Sequence, residues 1–155
     1  MDTLRWLHLS DVHFSDGESY EIKRMRDSII DKMKEVFEKN KVDFVVLSGD
    51  LAYQGGGYDA NLKKFIESLV DVSGVSIDEL FIVPGNHDLK RTQMRSVLLN
   101  GMRTEQFKFE KETIEQLQKD FKKYMTFYNK VKGENSNYIY RLVKKEKYNI
   151  FLMNT

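Results

Sequence analysis

The 155-residue sequence contains no cysteine, a single proline and only three histidines. Without cysteine, disulfide bonds and thiolate metal sites are excluded. No apolar run approaches the roughly 20 residues that a membrane-spanning helix needs. The first ten residues also lack the basic segment and the long apolar segment of a secretory signal. These absences predict a cytoplasmic protein that does not enter a membrane.

What is present is an ordinary globular composition with an uneven distribution of charge. The length and the 41% of hydrophobic residues predict one domain over residues 1–155. Residues 1–89 carry 10 Lys and Arg against 17 Asp and Glu, whereas residues 90–155 carry 15 against 7. An acidic half suits cation binding and a basic half could attract a phosphate-bearing partner, although segregated solvated helix faces would give the same pattern.

Short apolar runs alternate with segments of helical periodicity. The apolar runs predict buried strands at residues 4–10, 42–50 and 80–83. Helical spacing predicts helices near residues 20–39, 59–72 and 111–131. Because strands alternate with helices, we predict an α/β fold of parallel β-α-β units with helices covering the sheet. Two last apolar runs, at 137–143 and 148–155, predict a hairpin around the turn KKEK.

Each predicted helix carries one apolar stripe. The stripe of the first helix consists of Ile22, Met25, Ile29, Met33, Val36 and Phe37. The stripe of the second consists of Leu62, Phe65, Ile66 and Leu69. The third stripe, which we interpret as core packing, consists of Ile114, Leu117, Phe121, Tyr124, Met125 and Tyr128.

Polar side chains that could bind a cation follow each of the first three predicted strands. Asp11 and His13 follow the first strand, Asp50 follows the second, and Asn86 follows the third. Ligands of an α/β sheet bind at the carboxyl ends of its parallel strands, so we expect these side chains to lie at the same edge of the sheet. In an extended segment residues i and i+2 point to the same side, which predicts that Asp11 and His13 converge on one ion. Their oxygen and imidazole ligands suit Mn²⁺, Fe, Zn²⁺, Mg²⁺ or Ni²⁺.

Two further features accompany the strand ends. Gly49 and Gly85 allow tight turns and close approach of one backbone to another. His8 lies inside the first predicted strand, and we interpret it as a packed or hydrogen-bonded core histidine rather than a metal ligand. Each motif alone is weak, but their combination on successive strands favours a metal site.

The ordered set D-x-H, G-D and G-N-H-D resembles the calcineurin-like metallophosphoesterases. The resemblance implies a layered metallophosphoesterase-type sandwich with a two-metal site. It places Asp11 and His13 on the first metal, Asp50 between both metals and Asn86 on the second. Two divalent ions would lower the pKa of a bridging water, and the resulting metal-activated hydroxide would attack a phosphate ester.

The resemblance also implies roles for the two residues that follow Asn86. His87 would not bind metal; it would hydrogen-bond the scissile phosphate and help the leaving group depart. Asp88 would orient and polarise His87. We therefore expect a phosphoesterase with His87 and Asp88 as its catalytic pair, acting on phosphate esters and above all on phosphodiesters.

The family's site uses further histidines that this sequence lacks, since none follows His87. The resemblance therefore implies that residues 1–155 are the N-terminal portion of a metallophosphoesterase domain truncated at its C-terminal end. We expect the chain to bind at most one metal well and to be poorly active. An incomplete sheet would also expose an edge strand through which chains could associate with each other.

Several functions stay open at this point. The substrate could be a small phosphodiester, or the protein could be a nuclease whose basic region 90–147 follows a nucleic acid backbone. A protein serine/threonine phosphatase fits less well, because that branch usually has Glu in place of Asp88. A non-catalytic interaction scaffold of the same fold is a further alternative, against which every N-terminal motif residue is present.

Overall fold

Three strands form a parallel sheet in the order β1 (Trp6–Leu9), β2 (Phe44–Ser48) and β3 (Leu80–Val83). The structure is a computed structural model that describes residues 3–15, 17, 19–104, 110–137 and 139–153. Leu9 pairs with Leu47 and Ser48 pairs with Val83, so the carboxyl ends of all three strands lie at the same edge of the sheet. The predicted α/β fold with parallel units is confirmed.

Five helices and a second small sheet complete the described ranges. The helices are α1 (Tyr20–Phe37), α2 (Ala60–Ser73), α3 (Gln93–Arg103), α4 (Lys111–Lys119) and α5 (Lys122–Lys132), with a 3₁₀ turn at Ile77–Glu79. The last two strands, β4 (Arg141–Lys144) and β5 (Asn149–Leu152), form the predicted antiparallel hairpin. Residue 138 and the last two residues of the chain, which the expected strands included, lie outside the described ranges. None of the described helices has the length and apolar character to cross a membrane.

The main hydrophobic core lies between the parallel sheet and its covering helices. Strand β3 is buried along its whole length, and the predicted apolar stripe of α2 is fully buried. Strand β1 differs from the expectation, because it is an edge strand of this sheet and alternates between exposed and half-buried residues. Trp6 on β1 is 57% exposed and stacks on Phe44 of β2. Self-association through this edge stays a prediction.

The predicted apolar stripe of α1 is less buried than that of α2, because three of its six residues are exposed. Ile22, Met25 and Val36 are exposed, whereas the buried residue of the helix is Arg26. The guanidinium of Arg26 lies 3.5 Å from the ring centroid of Phe14, and this contact places a charged residue at the buried position. Helix periodicity alone could not show this, because the partner ring lies before the helix begins.

The single helix expected at 111–131 is two helices. Helix α4 ends at Lys119 and α5 begins at Lys122. At the break, the carbonyl of Asp120 accepts a hydrogen bond of 3.1 Å from the backbone N–H of Lys90, which follows β3. The expected core packing is confirmed for Phe121, Tyr124 and Tyr128, which are buried. Residues of α4 in the same stripe are not buried.

Candidate metal and active site

Asp11, His13 and Asp50 come together at the carboxyl edge of the parallel sheet. One ligand atom from each lies within 4.8 Å of the other two. The Nε2 atom of His13 lies 3.7 Å from Oδ1 of Asp11. Asp11 is exposed, and the other two residues are half-buried. The grouping of these three residues at one point is what the sequence predicted.

The local geometry of this group differs from the prediction. Strand β1 ends at Leu9, and Asp11, His13 and Asp50 all have left-handed backbones, with φ values of 57°, 50° and 54°. The side chains therefore converge through two left-handed residues in a loop, not through the alternation of an extended strand. Non-glycine residues rarely adopt this conformation, and it costs on the order of 1–3 kcal/mol each.

Backbone hydrogen bonds between the two loops hold these conformations. The N–H of Asp11 donates to the carbonyl of Gly49 at 3.2 Å, and the N–H of His13 donates to the carbonyl of Asp50 at 2.9 Å. The N–H of Phe14 continues the pairing by donating to the carbonyl of Leu51 at 2.8 Å. The loops that carry the candidate ligands are thus bonded to each other rather than placed independently.

Arg26 of α1 reaches the same loop, a contact that the sequence motifs did not predict. Its Nη2 atom donates to the backbone carbonyls of Val12 at 3.1 Å and His13 at 3.4 Å. Arg26 is 4% exposed. Its position one helical turn before Ile30, which packs against the core, is the only sequence signal that could have identified it.

Gly85 and Gly49 bring the loops after β2 and β3 together. A Cβ atom on Gly85 would contact the carboxylate of Asp50 and would lie 2.7 Å from its backbone nitrogen. A Cβ atom on Gly49 would lie 3.0 Å from the Cα atom of Gly85. Since no real side chain fits at such distances, these glycines provide the close approach that the sequence predicted.

Asn86 shares a cleft with two of the candidate ligands. The cleft has a volume of about 470 Å³, and its polar wall contains Asp11, Asp50 and Asn86. Residues 150–153, at the end of the hairpin, also line this cleft. Asn86 is exposed, so its amide is accessible from this cleft. The structure thus places all four residues predicted to bind metal around one region.

Asp88 is fully buried and organises the loops from beneath. Its carboxylate accepts hydrogen bonds from the backbone N–H groups of Ala52 and Gly85, both at 2.8 Å, and of Leu51 at 3.2 Å. The hydroxyl of Tyr58 donates a fourth bond of 2.7 Å. Burial raises the pKa of Asp88, and the hydrogen bonds from these donors oppose that shift.

The Asp88 carboxylate does not form the expected hydrogen bond with the His87 imidazole in the described structure. The four bonds of the Asp88 carboxylate go to the neighbouring loops. Nδ1 of His87 is buried and has no hydrogen-bond partner among the described residues. The backbone N–H of His87 donates to Oδ1 of Asp50 at 2.8 Å. Asp88 therefore holds the loops that carry Asp50 and His87 without contacting the imidazole by a hydrogen bond.

His87 and His8 occupy different surroundings. The imidazole of His87 lies edge-on to that of His13, with 5.0 Å between ring centroids. His8 is exposed on β1 and its Nε2 atom is hydrogen-bonded to the hydroxyl of Ser48. The interpretation of His8 as hydrogen-bonded therefore holds, but its placement in the core was wrong because β1 is an edge strand.

The chemistry of this group fits a divalent cation. Two carboxylates and an imidazole are the ligands that borderline and hard divalent ions prefer. Nδ1 of His13 is buried without a hydrogen-bond partner in the described part of the chain, and such a nitrogen costs about 1–3 kcal/mol. Asp11, His13 and Asp50 are thus the residues that would hold an ion.

The fold and the site together define an α/β protein with a candidate metal site at the carboxyl edge of its parallel sheet. The chain belongs to the calcineurin-like phosphoesterase family, whose model matches residues 4–154. It is also similar to an uncharacterised metallophosphoesterase-like protein, YydB, of Bacillus subtilis strain 168. The two are 28% identical over 163 residues, which cover 98% of this chain and 33% of the relative. The chain therefore spans about a third of the length of this curated relative.

Proposed function

We propose that this chain supplies the metal-binding and catalytic residues of a metal-dependent phosphoesterase that acts on phosphodiesters. The observation that carries the proposal is the convergence of Asp11, His13 and Asp50 in a member of this family. Carboxylates that approach each other without a cation repel, so a built group of this kind favours an ion. The buried Asp88 beneath the group supports a preorganised site rather than a chance cluster.

The proposed ligand roles follow the arrangement of the side chains. Asp11 and His13 would hold a first ion and Asn86 would contribute to a second, with Asp50 lying between them. Bound divalent ions would lower the pKa of a water molecule and neutralise the negative charge of the phosphate oxygens. The left-handed backbones and the bonds between the loops keep these side chains in place before any ion binds.

His87 is proposed to act on the leaving group. Its backbone is fixed by the hydrogen bond to Asp50, and its ring lies against that of His13. A protonated imidazole at this position can donate a proton to the ester oxygen as the P–O bond breaks. The donated proton leaves with the alcohol product, and a second water can restore it.

Hydrolysis of diphenyl phosphate, whose phenolate leaving group depends on proton donation, in the presence of Mn²⁺ tests this proposal. His87→Ala should lower kcat by about 100-fold or more, the usual contribution of a general acid or base. His8→Ala is the matched control, because His8 lies on β1 and its imidazole is bonded to Ser48. The proposal fails if both histidine variants retain the activity of the unaltered chain, or if added Mn²⁺ has no effect on the rate.

One observation favours a nucleic acid as the phosphodiester, which makes a nuclease the second candidate. Lys63, Lys122, Lys123 and Lys130 line a cleft of about 500 Å³ beside the loop at residues 55–57; we call it the lysine cleft. The N–H of Gly55 in that loop donates to the carbonyl of His87 at 2.8 Å, so the lysine cleft adjoins the candidate site. Phosphates of a nucleic acid that flank the scissile bond could contact the four lysine side chains there.

The charge of the lysine cleft is offset in part. Asp59 lies in the same cleft, although its carboxylate is occupied by the N–H groups of Asn61 and Leu62 at the start of α2. Lys63 also pairs with Glu67 at 3.0 Å. The three lysines of α5 are therefore the main candidates for contacts with phosphate.

Salt dependence of oligonucleotide binding separates the two candidates. For a nuclease, Lys122→Gln with Lys123→Gln should weaken binding of a single-stranded oligonucleotide and lower the salt slope by roughly one to two. Lys32→Gln with Lys34→Gln on α1 removes the same charge elsewhere and should leave binding unchanged. Equal effects of both pairs, or no binding at low salt, would favour a small phosphodiester instead.

A further inference from the structure

Tyr53 contacts both histidines of the candidate site, and nothing in the sequence motifs assigns it a role. Its ring stacks on the imidazole of His87, with 5.3 Å between centroids and 19° between planes. It also meets the imidazole of His13 edge-on, with centroids 6.1 Å apart. Tyr53 is 46% exposed, so one face of this three-ring cluster of His13, Tyr53 and His87 is open to solvent.

The backbone around Tyr53 is fixed on both sides. Its N–H donates to the carbonyl of Phe14 at 2.8 Å, and its carbonyl accepts from the N–H of Gly56 at 2.9 Å. Gln54, which follows it, has a left-handed backbone with φ of 51°. The N–H of Gly55 then donates to the carbonyl of His87. The segment that carries Tyr53 is therefore bonded to both of the loops whose histidines its ring contacts.

Contacts other than hydrogen bonds must hold the His87 imidazole. Its Nδ1 atom has no hydrogen-bond partner in the described ranges, and the buried carboxylate of Asp88 is engaged by the neighbouring loops. The ring contacts with Tyr53 and His13 are the packing that the structure gives it. A stacked pair resists rotation of the imidazole about its side-chain bonds, because rotation would break the ring contact.

We propose that Tyr53 is a positioning residue that holds the His87 imidazole in the orientation from which it reaches the leaving-group oxygen. This inference rests on the proposed function for the role of His87, but the ring contact itself does not. Tyr53 takes up the positioning role that the sequence motif suggested for Asp88. Its hydroxyl accepts a bond of 3.2 Å from Gln54 at an exposed position, so the ring rather than the hydroxyl carries the role.

Two variants separate the ring from the hydroxyl. Tyr53→Leu removes the aromatic face, whereas Tyr53→Phe keeps it and should restore the behaviour of the unaltered chain. Diphenyl phosphate has a poorer leaving group than bis(p-nitrophenyl) phosphate, so its hydrolysis depends more on proton donation. Tyr53→Leu should lower kcat about three- to tenfold for diphenyl phosphate, with KM little changed, and less than about twofold for the nitrophenyl ester.

The ring contact can be measured without turnover. The chain has three histidines, so proton–carbon NMR spectra of the metal-free chain contain three pairs of imidazole signals, one pair from each ring. Tyr53→Leu should shift the signals of His87 most, those of His13 less and those of His8 not at all. Tyr20→Leu, which removes an exposed tyrosine of α1, is the control and should shift none of them.

The outcomes distinguish failure of the positioning role of Tyr53 from failure of the proposed phosphoesterase function. Unchanged His87 signals in Tyr53→Leu overturn the positioning role whatever the kinetics show. Shifted signals with an equal loss of kcat on both esters, or with a loss that Tyr53→Phe does not rescue, also overturn it. If the unaltered chain hydrolyses neither ester with Mn²⁺, the proposed function is contradicted, and the NMR comparison alone decides whether Tyr53 orients His87.

Discussion

At the scale of the residue, the site is built from unusual backbone conformations. Asp11, His13 and Asp50 each have a left-handed backbone, a conformation that aspartate and histidine adopt far less often than glycine does. The surrounding hydrogen bonds must offset that cost, and they come from the neighbouring loops and from Arg26. Strain of this kind is concentrated at functional sites, because the geometry of the ligands requires it.

Arg26→Met should weaken metal binding by about tenfold, because the loop carrying His13 loses the donors to its carbonyls. Methionine keeps an apolar stem against Phe14, so the free energy of unfolding should fall by only about 2–3 kcal/mol. Calorimetric titration with Mn²⁺ and urea unfolding measure the two effects. Arg24→Met, at an exposed position of the same helix, should change neither. Unaltered Mn²⁺ affinity in Arg26→Met would show that the loop holds its shape unaided.

Gly85→Ala should disrupt the site by steric overlap. The new methyl group would meet the carboxylate and the backbone nitrogen of Asp50, which should lower the free energy of unfolding by about 1–3 kcal/mol and weaken Mn²⁺ binding. Gly74→Ala is a useful comparison, because that glycine has a φ of 69° but nothing within 4 Å of its Cβ position. It should lose stability and keep its metal affinity. Equal Mn²⁺ affinity in both variants would contradict the assigned role of Gly85.

Particular residues show what the sequence could and could not reveal at this scale. The motifs identified Asp11, His13 and Asp50 because residue type and position after a strand are local properties. The motifs predicted that Asp88 contacts His87. They could not show its actual partners Leu51, Ala52 and Tyr58, which are more than 25 residues away in the chain. Tyr53 and Arg26 were missed for the same reason, since neither belongs to a pattern until the loops are in contact.

At the scale of the element, local patterns predicted where strands and helices lie but not always which face they bury. The stripe of α2 is buried as expected, because it packs directly on the sheet. The stripe of α1 is only partly buried, and Arg26 occupies the buried position of this helix against Phe14. At the break between α4 and α5, the carbonyl of Asp120 accepts a hydrogen bond from Lys90, and a contact with a residue 30 positions earlier leaves no trace in a helical period.

Helix α5 and the loop before α2 bury tyrosines, and this predicts loss of stability in alkali. Burial raises the pKa of Tyr58, Tyr124 and Tyr128, to about 12 for Tyr128. The folded state therefore keeps protons that the unfolded chain loses near pH 10, so stability falls as the pH rises from 10 toward 12. Absorbance at the tyrosinate band, followed together with circular dichroism, should show these three ionising only as the chain unfolds. Ionisation of all eight tyrosines near pH 10 in a folded chain would contradict the burial.

At the scale of the whole molecule, the uneven charge of the sequence has a structural counterpart. The acidic N-terminal stretch supplies the carboxylates of the candidate site, and the basic remainder supplies the lysines of α5 in the lysine cleft. In the sequence alone, this asymmetry is compatible either with function or with solvated helix faces. Gly55 lines the lysine cleft and donates a hydrogen bond to the carbonyl of His87, so the cleft adjoins the candidate site, which favours the functional interpretation.

Calorimetric titration of the chain with Mn²⁺ measures whether Asp11, His13 and Asp50 bind a divalent cation, on which the proposed function depends. We expect one tight site per chain, because Asp50 and Asn86 are the remaining candidate donors for a second ion among the described residues. Asp50→Asn should weaken this site by at least about tenfold, whereas Asp71→Asn, at an exposed position of α2, should bind as the unaltered chain does. Equal Mn²⁺ affinity in Asp50→Asn and the unaltered chain would show that Asp50 does not bind the ion.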